Sequence, residues 1–437
     1  RYTGSPNDSS TSCPMNRARW LVMLLLLMLA PMALAEESEA LKKRKVSRTA
    51  GLSQQVYGEL QEIQALVEAD QIAEAEDRLL DLQQRKLNEY ELSQSWFIMG
   101  YVKFQQEDFA AAQSAYEEVL KNENLPLGMQ TNVYQTLAQL SMVNEKYAQA
   151  LDYLDKLLAI AEEPQPGPYA LKAQAHYQME QFDESMAAIV KAEEIAAQRG
   201  STPREGWLLL KNAILYQRED YDGMLEVVQQ LVRLYPKDRY LLNMAAIYGE
   251  MGNSKKQLSL MEPLYERGSL ATESQKVNLA SLYMLHEIPH KAAVLLEREI
   301  NRGDVEATHK HWEMLAQARL MAANIELALE PLQEAAVLAD DGDTYLTLAR
   351  TQMGLSRWSD AEASVDKALA KGGLRDEAAA HLLKGMAQFN QKKYRDARTA
   401  FAKAGEDPSS EKLAKQWMDY LAREEEKLAL AREAAQS

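Results

Sequence analysis

From residue 51 onward, apolar and small residues recur with a helical period, and an anchor residue punctuates the pattern at regular intervals. The anchors are Ile72, Phe109, Tyr147, Phe182, Tyr221, Ser254, Pro289, Ile325, Trp358 and Tyr394, spaced 33 to 39 residues apart. Three residues after them stand Ala75, Ala112, Ala150, Ser185, Met224, Gln257, Ala292, Ala328, Ala361 and Ala397. Nine residues before them stand Ile63, Gly100, Ala138, Ala173, Asn212, Ala245, Ala280, Ala316, Ala349 and Gly385. Two columns of small residues in one register predict ten helix hairpins. Small side chains let the paired helices approach, the anchor packs in the turn, and larger residues fill the ridges around them. A single hairpin cannot bury its apolar face, so neighbours must stack. Ile63, Asn212, Met224 and Gln257 break the columns and make the first, fifth and sixth hairpins the weakest copies.

The repeat runs from 51 to 405, and residues 406–437 form a separate closing segment. Pro408-Ser-Ser-Glu411 reads as a helix start. Leu413, Trp417, Leu421 and Leu428 then mark an apolar stripe, as expected of a helix capping the open end of a stack. The stretches Pro164–Pro168 and Gly200–Pro203 read as loops between hairpins.

The amino-terminal region has a different pattern. Residues 1–14 are polar and read as upstream sequence. Residues 15–35 carry Arg17 and Arg19, an apolar run from Trp20 to Ala30, and Ala33-Leu34-Ala35. These are the three parts of a secretory signal, with cleavage expected after Ala35 and a periplasmic product. An uncleaved inner-membrane anchor is the alternative. The 16 residues from Trp20 to Ala35 are short against the roughly 20 that span a bilayer. Residues 36–50 form a basic tail containing Lys42, Lys43, Arg44, Lys45 and Arg48. It reads as a solvated segment, or as one drawn weakly to anionic lipid or an acidic partner.

Composition narrows the function. Among 437 residues, 46% are hydrophobic and 26% charged, with only 13 Pro and 19 Gly, which favours folded helices. A net charge of −16 argues against a nucleic-acid binder, which needs cations to neutralise phosphates. One cysteine, Cys13, excludes a disulfide framework and a multi-thiolate metal site.

One catalytic pattern occurs, His286-Glu-Ile-Pro-His290, which fits the H-E-x-x-H zinc signature. That chemistry needs both histidines on one helical face, and Pro289 between them interrupts a helix interior. A zinc metalloprotease is therefore disfavoured. His309 and His311 are expected to face solvent, and His176 and His381 to pack or lie at the surface. No phosphate loop, nucleophile elbow or dinucleotide fingerprint occurs. The sequence points to a non-enzyme without catalytic, cofactor-binding or metal residues.

The repeat resembles the tetratricopeptide family. Trp96, Met99, Gly100, Phe109, Ala112 and Tyr116 carry the pattern, as do Tyr345, Leu348, Ala349, Trp358, Ala361 and Ala368, with a closing Pro236. The resemblance implies an all-α, right-handed superhelical solenoid of about ten hairpins with a C-terminal capping helix. It also implies that first helices line a concave protein-binding groove. By that register the groove holds Phe97, Tyr101, Phe104, Gln135, Gln139, Met142, Gln174, Tyr177, Ala213, Tyr216, Leu346, Met353, Met386 and Phe389. Aromatic and Met side chains suit a peptide or protein partner. The family's carboxylate-clamping members use Lys and Asn where this chain has Phe97, Tyr101, Gln135 and Gln139, so that specificity is not expected.

A narrower resemblance lies in Leu231–Lys237, Tyr240, Ile247–Gln257 and Lys291–Glu297. These are similar to exported tetratricopeptide proteins of marine and related Gram-negative bacteria, whose genes accompany TonB–ExbB–ExbD systems. The resemblance implies a periplasmic accessory of energised uptake that touches TonB, ExbD or an outer-membrane receptor segment. A scaffold for cell-wall synthesis, division or outer-membrane assembly is the alternative.

Overall fold

The structure, a computed structural model, describes residues 51–436. The upstream segment, the signal, the basic tail and Cys13 lie outside the described residues. Among the described residues are 21 α-helices and one 3-10 helix, with no strand. None of these helices is long and apolar enough to cross a membrane.

The chain forms two compact units, divided between Glu162 and Glu163 beside the proline-rich stretch. The first holds three hairpins: α1 (Gln54–Glu68) with α2 (Ile72–Gln83), α3 (Glu89–Gln105) with α4 (Phe109–Val119), and α5 (Leu127–Val143) with α6 (Tyr147–Ile160). The second holds seven more. They are α7 (Pro166–Gln178) with α8 (Phe182–Gln198), α9 (Glu205–Gln217) with α10 (Tyr221–Leu234), and α11 (Asp238–Glu250) with α12 (Ser254–Glu266). Next come α13 (Glu273–Leu285) with α14 (Pro289–Arg302), and α15 (His309–Met321) with α16 (Leu329–Leu338), the latter preceded by the 3-10 turn Glu326–Ala328. The last two are α17 (Asp343–Gly354) with α18 (Trp358–Lys371) and α19 (Glu377–Asn390) with α20 (Tyr394–Ala404). All ten expected hairpins form, and every second helix starts at or just after its anchor.

The two small-residue columns are the seams of these hairpins. Ala75, Ala112, Ala150, Ala292, Ala328, Ala361 and Ala397 are fully buried, as are Ala138, Ala173, Ala245, Ala280, Ala316 and Ala349. The closeness of approach is plainest at the glycines. A Cβ on Gly100 would lie 2.6 Å from Tyr116 Cε2, and one on Gly385 would lie 2.5 Å from Phe401 Cε1. Where the column is broken the seam changes chemistry. Ser185 stays buried by donating its hydroxyl to the Ala173 carbonyl at 2.7 Å. The Asn212 carbonyl oxygen is buried without a partner.

Every first helix ends in the same way. Two residues before each anchor the backbone turns left-handed, at Asp70, Glu107, Glu145, Glu180, Glu219, Gly252, Glu287, Ala323, Ser356 and Lys392, with φ between 54° and 70°. The next amide donates back into the last helical turn: Asp108 N–H to the Lys103 carbonyl, Lys146 to Ser141, Asn253 to Tyr248, Lys393 to Gln388. This is the six-to-one bond of a Schellman ending, a position that usually selects glycine. Only Gly252 satisfies that preference here. Polar caps then start several of the following helices, as where the Asp108 and Asp220 carboxylates accept the Ala111 and Gly223 amides. Hairpins are also latched to one another at the turns. Asn144 donates to the Phe109 carbonyl, Arg218 to that of Phe182 and Gln391 to that of Trp358.

α21 (Glu411–Gln436) closes the second unit. Its buried side is Ala414 and Leu421, with Trp417 stacked on Phe401 at 5.6 Å. Leu413 and Leu428, expected on the packed stripe, are exposed. The packed face follows the 414, 417, 418, 421 row instead, around the Phe401 ring.

Candidate protein-binding surface

The zinc-like pattern is split by the fold. His286 caps the end of α13 and shares a 3.1 Å contact with the Ser254 hydroxyl. Glu287 occupies the left-handed turn, Pro289 opens α14, and His290 is exposed. The two histidines therefore sit on different helices, and Pro289 acts as the helix breaker its chemistry dictates. Among the described residues no group of His, Cys, Asp and Glu is arranged to hold a metal ion.

The other histidines are structural. His309 and His311, expected in solvent, are half-buried. His309 Nδ1 meets the Ala335 carbonyl at 3.0 Å and His311 Nδ1 the Glu306 carbonyl at 2.7 Å. Carbonyls at neighbouring element ends are better partners than water for rings at the start of α15. His381 is buried, and burial together with the Lys403 charge lowers its pKa.

In the first unit, Phe97, Tyr101 and Phe104 all lie on α3 and are half-buried. Phe97 meets Tyr116 edge-on at 5.4 Å, and Phe104 tilts against the anchor Phe109 at 5.5 Å. The Tyr101 hydroxyl accepts a bond from Gln105 Nε2 at 2.6 Å. Gln135, Gln139 and Met142 are half-buried on α5.

In the second unit, Gln174 is exposed, and Tyr177 packs on the anchor Phe182 at 5.7 Å. Tyr216 is 60% exposed. Ala213, Met353 and Met386 are half-buried, while Leu346 is a core residue. Leu346 was expected in the groove, but it faces the seam formed with Ala361, Val365 and Ala380. Phe389 is enclosed by Tyr394, Trp417 and Tyr420, with ring centroids at 5.6, 5.8 and 5.1 Å.

Phe104, Tyr177 and Phe389, each five residues before an aromatic anchor, pack on that anchor, whereas Tyr216, in the same position before Tyr221, makes no ring contact among the described residues. The packed rings lock their own turn. Tyr101 and Tyr216, which make no ring contact among the described residues, are better placed to meet a partner.

The structure also exposes apolar residues that sequence reasoning did not nominate. Leu285 is 65% exposed, Met321 50%, Ile325 41% and Leu327 56%. Leu285 and Met321 stand four residues before successive anchors, which is the signal that could have found them. A separate cleft of about 470 Å³ lies against α9 and α10, lined by Lys211, Asp220, Glu226, Arg233, Met186 and Leu215. Its Lys211 is already paired to Glu193 at 2.7 Å.

Tetratricopeptide-repeat family models match residues 99–168 and 346–411, and a further one matches 167–199. No curated protein matches the chain in sequence. The chain is similar to a tetratricopeptide repeat protein from Parabacteroides merdae, at 16% identity over 65% of this chain and 99% of that one, with a TM-score of 0.37. It is also similar to the C-terminal part of a TPR repeat-containing protein from Cytophaga hutchinsonii, at 15% identity over 56% and 97%, with a TM-score of 0.39. A third similar structure is YrrB, described as a TPR protein with an unusual peptide-binding site, at 16% identity over 45% and 99%, with a TM-score of 0.35.

Proposed function

We propose that this chain, whose hairpins at 99–199 and 346–411 match tetratricopeptide repeats, is a protein-binding scaffold of the periplasm that serves a TonB-type uptake system. The observation that carries the scaffold reading is the distribution of chemistry. Small residues are spent on the seams, and the first helices keep Tyr101, Gln174 and Tyr216 at least partly open. Aromatic and amide side chains on rigid helices suit recognition of a peptide segment. A frame of this kind has no need of a reactive group. The periplasmic and TonB parts rest on the signal-like residues 15–35 and on the resemblance of Leu231–Lys237 and Ile247–Gln257 to exported proteins encoded beside TonB–ExbB–ExbD.

The test is an in-cell crosslinking capture from the periplasmic face, read by mass spectrometry, with wild type beside Tyr101→Ala and Tyr216→Ala. Recovery of TonB, ExbD or a receptor segment, reduced in either variant, is the expected result. Recovery of cell-wall or assembly proteins alone would remove the TonB reading and leave the scaffold. Tyr101 and Tyr216 are the right probes because truncating Phe104 also strips the Phe109 turn of its ring contact.

A further inference from the structure

Nine of the ten anchors are half-buried, and Ile325 alone is exposed. Its hairpin is also the one whose second helix opens with a 3-10 turn, Glu326–Ala328, without a side-chain cap. At this turn Ile325 is 41% and Leu327 56% exposed. Met321 lies exposed at the end of the preceding helix, and Leu285 at the same register one hairpin earlier. Successive hairpins in this part of the unit sit side by side: His286 meets Ser254 between the sixth and seventh, Arg319 donates to Glu297 at 2.6 Å between the eighth and seventh, and Arg357 approaches Glu326 at 3.9 Å between the ninth and eighth. The result is a run of large apolar side chains along the turn edge of the seventh and eighth hairpins.

Carboxylates border that run. Glu287, Glu326 and Glu330 are exposed beside it. Glu287 and Glu330 have no ion-pair partner among the described residues. The nearest lysine in sequence, Lys291, is engaged by Glu262. A purely apolar partner would cover carboxylates without pairing them, at a desolvation cost. An acidic partner would be repelled.

We propose that this edge docks a cationic amphipathic segment of a partner protein, with its apolar side chains over Leu285, Met321, Ile325 and Leu327 and its Lys or Arg residues against Glu287 and Glu330. This rests on the protein-binding reading above, and assigns the partner's chemistry and a second contact surface away from Tyr101.

The probe is a fluorescein-labelled 14-residue peptide with Leu at helical i, i+3, i+4 spacing and Lys elsewhere. It is titrated into the intact protein by anisotropy, beside a control with Glu in place of Lys. The Lys peptide should bind, more weakly as salt rises, and the Glu peptide should not. Leu285→Ser with Leu327→Ser should weaken binding about tenfold. Glu330→Lys, a surface change that leaves the apolar residues in place, should weaken it about threefold. Tyr101→Ala should leave it unchanged.

Unaltered binding in the Leu285→Ser, Leu327→Ser protein with its helical signal intact overturns the proposal, as does equal binding of the Glu peptide. Loss in Tyr101→Ala alone would overturn the edge and keep the first-helix groove. Displacement of the probe by a peptide of residues 40–50 at comparable affinity would assign the edge to the chain's own basic tail and overturn the partner.

Discussion

Lys276 and Glu299 make the sharpest test of how neighbouring hairpins are held together. Lys276 lies on α13 and Glu299 on α14, and both are buried. Lys276 Nζ donates to Glu299 Oε2 at 2.6 Å and to Asp304 Oδ2 at 2.8 Å. The other Glu299 oxygen accepts from the Tyr265 hydroxyl at 2.6 Å and from Arg298 Nε at 3.2 Å. Since Tyr265 belongs to α12, this one carboxylate joins two hairpins. Burial alone would raise the Glu299 pKa. The bonds from Lys276 and Tyr265 outweigh it, and the pKa is lowered.

The two partners are not equivalent. Lys276→Met removes the nearest cation from a carboxylate that water barely reaches, and should cost about 3 kcal/mol at pH 7. Glu299→Gln leaves Lys276 its bond to Asp304, and should cost about 1–2 kcal/mol. Replacing both, as Lys276→Met with Glu299→Leu, should recover most of the loss, because an apolar pair of similar volume strands no charge. The Lys276→Met deficit should shrink from pH 7 to pH 4, since Glu299 without its nearest cation titrates higher and is more readily neutralised. Urea unfolding followed by circular dichroism gives the global effect. Amide exchange in 273–302 isolates the local one, which matters because repeat arrays need not unfold in one step. A Glu299→Gln cost equal to or above that of Lys276→Met would refute the reasoning.

Three more outcomes are expected. Gly385→Ala should cost about 1–3 kcal/mol despite its better helix propensity, because Phe401 is buried, stacked on Trp417 and unable to retreat; an unchanged thermal midpoint would contradict it. Glu145→Gly should stabilise by about 0.5–1 kcal/mol, since Glu145 is exposed and holds a φ of 58° that costs a residue with a Cβ; a lowered midpoint would show that the Glu145 side chain is itself needed. Glu76, Glu262 and Glu362 are lowered below their ordinary value of 4.5, the first two chiefly by hydrogen bonds from Lys103 and Lys291, the third by bonds from Lys393 and Gln388 that outweigh burial. Depressed carboxylates contribute stability above their unfolded pKa that is lost as pH falls, so thermal melts should be level from pH 7 to about 5 and drop below about 4.5.

The hairpins were legible because a seam leaves a mark on composition. Only Gly fits where Gly100 meets Tyr116, and only a small residue where Ser185 meets the Ala173 carbonyl, so the columns survive even when the aromatics drift. The turns were legible only through their anchors. A left-handed residue usually announces itself as glycine, and here Glu, Asp, Ala, Ser and Lys fill nine of the ten positions. The backbone bonds of the Schellman ending hold them there without asking anything of the side chain. Register placed the nominated residues on first helices, but it did not predict their exposure. Register cannot tell that Phe389 is enclosed by Trp417 and Tyr420, or that Leu346 faces a seam. Leu285 and Met321 lie outside the nominated rows, at the position four residues before an anchor that the fold leaves exposed.

That distinction bears on how such a scaffold acquires a partner. Residues that close a turn, such as Phe104 on Phe109 and Tyr177 on Phe182, are tied to the fold, and changing them alters stability before it alters recognition. Tyr216 and Leu285 are the most exposed large apolar residues of their hairpins and contribute little to the seams beneath them. A substitution there changes what the surface prefers to meet at a stability cost usually within about 0.5 kcal/mol. Under the proposed scaffold role, recognition would therefore shift one exposed residue at a time, while Ala280, Ala292 and Ala316 keep the stacking fixed.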